Sequence, residues 1–493
     1  DIKESIIHEF NQYKPSLLNK IKRKISKSGF ATSQDIPELL NQKKWNQLKK
    51  QELKKVEEYA KGYMNFLDSS KTERECAKEI IRLAELNGFK DIEYYQKKGK
   101  ITAGSKVMIN HKNKSVLLFV MGTESLEKGF HLVGSHIDSP RVDLKANPLY
   151  EDGNLALLKT HYYGGIKKYQ WGCIPLAMYG VLFTKNGKIE ISIGDKEEDP
   201  VFCINDLLIH LSAKQMEKKA SVVLEGEQLN VVFGHIPVKS EEKDTIKKNV
   251  LNILLKEYGI EEQDFLSAEI EMVPAGKSRF VGLDKGLVGG YGQDDRVCAY
   301  ASLKGILEIT SPKYTACCLF ADKEEIGSTG NTGMNSKLLE NVISELVDLE
   351  GEYSGLKVRR ALKNAKMLSA DVNAAYDPTF SDVMDKQNCA FVGEGVCVTK
   401  YTGARGKGGC SDANAEFLHE VITQFNKAKV VWQTGELGKV DAGGGGTIAC
   451  FLAEYGAEVL DCGTAVLNMH SPFELSSKFD IYMTFLAYRM FLS

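Results

Sequence analysis

Two imidazoles and a scatter of carboxylates, carried by five short segments, are the residues of this chain best suited to chemistry. The segments read GSHIDSPR from Gly134, YGQDDR from Tyr291, DKEEIGS from Asp322, SADVN from Ser369 and NMHSPFE from Asn468. A catalytic zinc takes about three protein ligands of this kind and keeps one position open. Two such ions sharing one bridging carboxylate need about five ligands. His136, Asp294, Glu325, Asp371 and His470 supply them, and Glu324 is left over as a base. The inventory predicts a metallohydrolase holding two divalent ions per chain. Zinc suits the mixed nitrogen and oxygen donors, and cobalt or manganese would also be accepted.

Each segment alone has a plainer explanation. His136 and Asp138 form an H-x-D pair, in which a carboxylate can accept the second ring proton and fix the tautomer, but a buried structural histidine looks the same. Asp294 and Asp295 stand where caps of the helix VCAYASLKGIL would stand. We take Asp294 as the bridging ligand and Asp295 as its support. Glu324 and Glu325 repel each other after a buried strand unless cations or protons relieve them, so Glu325 is read as a ligand and Glu324 as general base and acid. Asp371 could cap a turn, and His470 lies in a loop before the last helix. Their joint presence carries the metal reading.

The elements around these segments explain how they could meet. SVLLFVMG and FHLVGSH read as buried strands, the second ending on His136. After Gly289 strands and helices alternate: YTACCLFA, SKLLENVISELVDLEG, KMLSADV, SDANAEFLHEVITQFNKA, KVVWQ, GTIACFLAEYG and AEVLDCG. That alternation predicts an α/β fold with a mainly parallel sheet sandwiched by helices, its site at the carboxyl ends of the strands. Upstream, VEEYAKGYMNFLDSSKTERECAKEIIRLAELNGF predicts two helices with DSSKTE between them. Between Leu144 and Leu283 the texture changes. KIEISIG, ASVVLEGEQLNVVFGHIPV and turns at Gly164–Gly165 and Asn186–Gly187 suggest short antiparallel strands. Residues 1–143 and 284–493 are thus expected to form one catalytic domain, interrupted by an inserted β-rich domain at 144–283.

Composition narrows the class. A chain of 493 residues is too long for one ordinary core, which suits such an insertion. Its net charge of −2 gives no global field to attract nucleic acid or an acidic membrane. KIKRKISK from Lys20 is read as the solvated face of an amphipathic helix, and no apolar run approaches the ~18 residues of a membrane span. The cysteines include no CxxC pair, Cys317 and Cys318 sit in an apolar run, and DIKESIIHEF does not resemble a signal peptide. A reducing cytoplasm is expected. DAGGGGT from Asp441 lacks the lysine of a phosphate loop, so its glycines are read as backbone approaching a substrate or the metal site. Lys400, Arg405 and Lys407, on the Gly-rich loop KYTGARGKGG, are candidates to clamp a substrate carboxylate.

These motifs, in this order, resemble the aspartyl-aminopeptidase family of co-catalytic zinc metallopeptidases, which includes yeast vacuolar aminopeptidase I and many bacterial members. The likeness covers almost the whole chain, with DKEEIGS and NMHSPFE its most specific parts, and is greatest to bacterial members carrying the KYTGARGKGG loop. The resemblance implies one metal held by His136, Asp371 and bridging Asp294, a second held by Asp294, Glu325 and His470, Glu324 as base, and Asp138 orienting His136. It also implies peptide substrates, an inserted domain that mediates dimerisation, and dimers assembled into a dodecamer. Asp295 stands where the eukaryotic aspartyl enzymes carry Asn, and the KYTGARGKGG loop also differs from theirs. Their acidic specificity is therefore not carried over by motif, although Lys400, Arg405 and Lys407 remain available to meet an acidic side chain. A related di-metal carboxypeptidase or deacylase would use the same ligand types, and a self-assembling scaffold with a relict site would be marked by missing ligands, of which there are none.

Overall fold

The computed structural model describes Trp45 and residues 48–239, 241 and 243–493; the KIKRKISK and DIKESIIHEF expectations lie outside them. A nine-stranded sheet runs in the order Lys90–Asp91, Lys106–His111, Ser115–Val120, Thr315–Ala321, Phe130–His136, Lys366–Ser369, Glu458–Gly463, Val396–Thr399, Trp432–Thr434. The four strands from Thr315–Ala321 to Glu458–Gly463 are mutually parallel. Antiparallel neighbours flank them on both sides, so the sheet is mixed. One antiparallel pair arises because Lys112 and Asn113 both take left-handed backbone, closing a tight hairpin that carries no glycine to announce it.

The parallel strands are continuous apolar runs because both of their faces are covered. In Thr315–Ala321, the side chains of Ala316, Cys318 and Phe320 enter one hydrophobic cluster, while Cys317, Leu319 and Ala321 enter another. Helices Lys50–Asp68, Gln293–Leu307, Ala415–Ala428 and Lys478–Leu492 supply the first cluster. Leu338–Glu350, Gly355–Lys363 and Ala449–Ala453 supply the second. Burying each large apolar side chain there is worth about 1.5–3 kcal/mol, and this packing holds the strand ends rigid enough to aim side chains. Helices Lys50–Asp68 and Glu73–Leu86 flank the DSSKTE segment as expected.

A second sheet has seven strands, all paired antiparallel: Gly187–Ile193, Leu176–Thr184, Glu269–Pro274, Arg141–Asp152, Leu155–Tyr163, Val231–Gly234 and Cys203–Ile204. It begins at Arg141 and has its own apolar cluster, centred on Trp171, Leu176, Leu182 and Val231. The strands Leu176–Thr184 and Gly187–Ile193 form a hairpin around Lys185–Asn186. ASVVLEGEQ contains short 3-10 turns and only Val231–Gly234 is a strand. Gly164–Gly165 is no hairpin turn; it bends the chain toward the edge of the first sheet. A five-stranded sheet (Arg279–Val281, Leu287–Gly290, Glu474–Ser477, Ala465–Leu467, Asn373–Ala374) completes the frame.

Candidate active site

Three of the chemistry-bearing segments leave the carboxyl ends of adjacent parallel strands. Pairing sets Ala321 opposite His136, and Ser369 opposite Gly134, so His136, the turn containing Glu324 and Glu325, and Asp371 emerge at one edge. Gly463 is required beneath them: a Cβ there would lie 1.9 Å from the carbonyl oxygen of Asp371. Asp294 and Asp295 sit at the start of the helix Gln293–Leu307 with non-helical backbone, joined by a cis peptide. Gly292 just before them has φ of 77°, and a Cβ there would meet Arg296 at 1.9 Å. His470 does not run directly into the last helix. It lies in the loop between the antiparallel strands Ala465–Leu467 and Glu474–Ser477, which reach the same edge.

Asp294 stands between the two imidazoles. Its Oδ1 is 3.1 Å from His136 Nε2, and its Oδ2 is 3.1 Å from His470 Nε2. Glu325 Oε2 is 3.3 Å from His470 Nε2. On the other side, Asp371 Oδ1 lies 3.8 Å and Glu324 Oε2 3.9 Å from His136 Nε2. Both rings are oriented from behind: His136 Nδ1 donates to the Asp138 carbonyl at 3.0 Å, and His470 Nδ1 to the Gly165 carbonyl at 2.8 Å. That leaves each Nε2 lone pair facing the Asp294 carboxylate, an arrangement that calls for a cation between them. The ligand atoms fall into two sets within 4.8 Å of one another, His136–Asp294–Glu325 and His136–Asp295–Asp371.

The electrostatics carry the same message. Burial, reinforced by Asp294, raises the Glu325 carboxyl well above its usual range, and burial does the same to Asp371 against the pull of His136. Burial also raises Glu324 to about 7. Burial alone would lower the imidazole of His470, but Asp294 and Glu325 outweigh it and raise it to about 10. Buried carboxylates driven toward protonation beside imidazoles driven toward charge mark a cavity short of positive charge. Glu325 Oε1 and Asp295 Oδ1 are buried without a hydrogen-bond partner. These residues fit divalent metal.

Of the supporting residues, Asp138 and Asp295 were expected from the sequence, whereas Tyr163 and Glu474 went unread. The Asp138 carboxylate approaches His136 Nδ1 at 3.3 Å, and also accepts the backbone N–H of Glu324 at 3.1 Å and of Glu325 at 3.2 Å. It takes the phenol proton of Tyr163, from the second sheet, at 2.8 Å. Glu474, inside NMHSPFE, accepts from Gln293 N, Asp294 N and His470 N. Only the spacing of Glu474 from His470 in that motif could have drawn notice. Asp295 accepts the backbone N–H of His136 at 3.3 Å.

A cleft of about 470 Å³ opens over the cluster, bounded by Asp294, Glu324, Glu325, Asp371 and His470 and by the Gly444–Gly446 loop. The glycines of DAGGGGT thus reach the site as backbone. Lys400, Arg405 and Lys407 are not brought to it. Arg405 and Lys407 border a separate groove of about 50 Å³, and Lys407 is held by Asp412 at 2.7 Å.

Residues 66–492 match the family described as aminopeptidase I zinc metalloprotease (M18). The chain belongs to this family. It is 52% identical over 452 residues to the probable M18 family aminopeptidase 1 of Clostridium acetobutylicum, covering 91% of this chain and 97% of that protein. The crystal structure of an M18 aminopeptidase from Thermotoga maritima superposes with a TM-score of 0.88 at 46% identity, covering 92% of this chain and 99% of that one. Yeast aminopeptidase 1 shares the fold at 20% identity, with a TM-score of 0.72, covering 88% of this chain and 97% of that one. The M18 chain described here is accordingly a zinc-dependent aminopeptidase.

Proposed function

We propose that this aminopeptidase holds two divalent ions: one on His136, Asp371 and Asp294, the other on Asp294, Glu325 and His470. The observation that carries this reading is the Asp294 carboxylate, which gives one oxygen to each imidazole at 3.1 Å. Bound metal would polarise the scissile carbonyl and lower the pKa of the attacking water. Zinc is the favoured ion, with cobalt or manganese able to replace it. Glu324 accepts a proton from that water at its carboxylate and hands it to the leaving amine. Asp138 acts as a positioning residue: it fixes the turn that carries Glu324 and Glu325 and steadies the His136 ring.

The reading extends to organisation. Residues 1–143 and 284–493 form the catalytic domain, and residues 144–283 an inserted unit through which the chain pairs with itself. A homo-oligomer is supported by a neighbour of the same fold, described as a dodecamer of yeast aminopeptidase 1. Cytoplasmic placement remains part of the proposal. No described helix is long and apolar enough to cross a membrane. The test of function is elemental analysis paired with N-terminal residue release before and after chelation. About two metals per chain, with release abolished by chelator and restored by zinc, is expected. Release from the carboxyl end of the same peptides would favour the carboxypeptidase reading instead.

A further inference from the structure

We propose that Arg141 is a positioning residue for the reaction, acting through Tyr163 and Asp138 on the turn that carries Glu324 and Glu325; the proposal rests on Glu324 being the base. Arg141 closes the GSHIDSPR segment and opens the strand Arg141–Asp152. Its side chain is buried away from the cleft, at a junction where the first sheet's helices meet the second sheet. Nη1 donates to Glu73 Oε2 at 3.2 Å, on the first residue of the helix Glu73–Leu86. Nε donates to Asp143 Oδ1 at 2.8 Å, and Nη2 lies 3.2 Å from Glu271 Oε1 on the strand Glu269–Pro274. Lys114 joins the same cluster, 3.7 Å from Glu73 Oε1 and 2.9 Å from Glu269 Oε2.

The face of the guanidinium makes the contact that matters for chemistry. Arg141 and Tyr163 stand directly opposite each other on adjacent antiparallel strands, and the guanidinium carbon is 3.8 Å from the centroid of the phenol ring. Three carboxylates pin the edges of the guanidinium, which fixes its plane, and the ring lying on that plane is fixed with it. The ring's hydroxyl then meets Asp138 Oδ2 at 2.8 Å, and Asp138 accepts the Glu324 N–H at 3.1 Å. The phenol touches both the guanidinium and Asp138, so a shift in the buried cluster reaches the backbone of the base. A lysine could answer the same acids with its charge, but it has no plane on which to seat the ring.

The test is a double-mutant cycle on the zinc-loaded full chain, using the X-Ala-Ala tripeptide that the wild type releases fastest. Arg141→Lys keeps the charge and is expected to lower kcat about tenfold, with metal content unchanged and KM within about twofold. Because the effect passes through the phenol, adding Arg141→Lys to Tyr163→Phe should cost less than a further twofold. A merely structural junction would lower stability and leave kcat alone, so wild-type kcat in Arg141→Lys overturns the proposal. Losses that multiply in the double variant, or a kcat recovered by excess zinc, overturn it too. Should Arg141→Lys not fold, Asp143→Ala frees one edge of the guanidinium at a partly exposed residue, and about a threefold fall in kcat is expected. An unchanged kcat there counts against the proposal. Normal turnover by Glu324→Gln would defeat the base assignment and the proposal with it, a failure read in a separate variant.

Discussion

Glu474 holds His470 by the backbone: its Oε1 accepts the His470 N–H at 2.9 Å while its Oε2 accepts Gln293 N–H at 2.6 Å and Asp294 N–H at 3.2 Å. A single buried carboxylate thus ties together two segments that are distant in sequence and carry Asp294 and His470. Charge-assisted bonds of this kind are worth about 1.5–3 kcal/mol each, and leaving their donors unpaired costs more than their absence. Glu474→Ala is expected to weaken zinc binding by about 10–100-fold, as loss of a supporting residue does in metal sites. Glu474→Gln, which keeps one oxygen, should lie between Ala and wild type. Competition with a chromogenic chelator measures this, and an unchanged affinity in both variants would remove Glu474 from the site.

Glu324 is the residue whose loss should separate chemistry from metal binding. Glu324→Gln is expected to lower kcat by about 10²–10⁴-fold with metal content unchanged. Burial raises this carboxyl to about 7 in the metal-free protein, and bound cations pull it lower. Because the base works only when ionised, kcat/KM should rise with pH along an acid limb whose midpoint lies below 7. A flat profile from pH 5 to 8 would take the proton-transfer role away from Glu324.

Much of this site was legible because its parts are chemically unusual where they stand. Paired acids after a buried strand, and histidines beside acids at strand ends, are expensive unless they serve something, so His136, Glu324, Glu325 and Asp371 advertise themselves. Glu474 does not: its work is done on backbone N–H groups, and nothing in NMHSPFE says which loop it will face. Tyr163, at the end of a strand of the second sheet, and Gly165, in the bend just beyond it, meet Asp138 and His470 only through tertiary packing. The mixed character of the first sheet was hidden by a hairpin at Lys112–Asn113 that lacks glycine.

Tyr163 gives the second sheet a measurable hand in the reaction. It donates to Asp138 Oδ2, which also accepts the N–H of Glu325, so its loss should loosen the turn that carries Glu324 and Glu325. Tyr163→Phe removes one hydrogen bond to a buried charge, a change of about 1.5–3 kcal/mol. A fall in kcat/KM of about tenfold with full metal occupancy is expected. Wild-type kinetics in this variant would leave Asp138 sufficiently held by the two backbone donors alone.

Zinc binding should release protons and strengthen as pH rises. In the metal-free protein, burial and neighbouring acids hold Glu325 and Asp371 toward the protonated form, while the ionised Asp294 raises the His470 imidazole above its usual range. Ligation requires bare carboxylates and neutral imidazoles. Each proton that the free site retains must therefore leave when metal enters. Below these raised pKa values the free protein carries more protons than the complex, so lowering pH favours the free form and raising pH favours the complex. Calorimetric titrations at pH 7 in buffers of different ionisation enthalpy should show more than one proton released per chain, and affinity should increase between pH 6 and 8. Proton uptake, or an affinity that does not change over that range, would contradict the protonation pattern assigned to His470, Glu325 and Asp371.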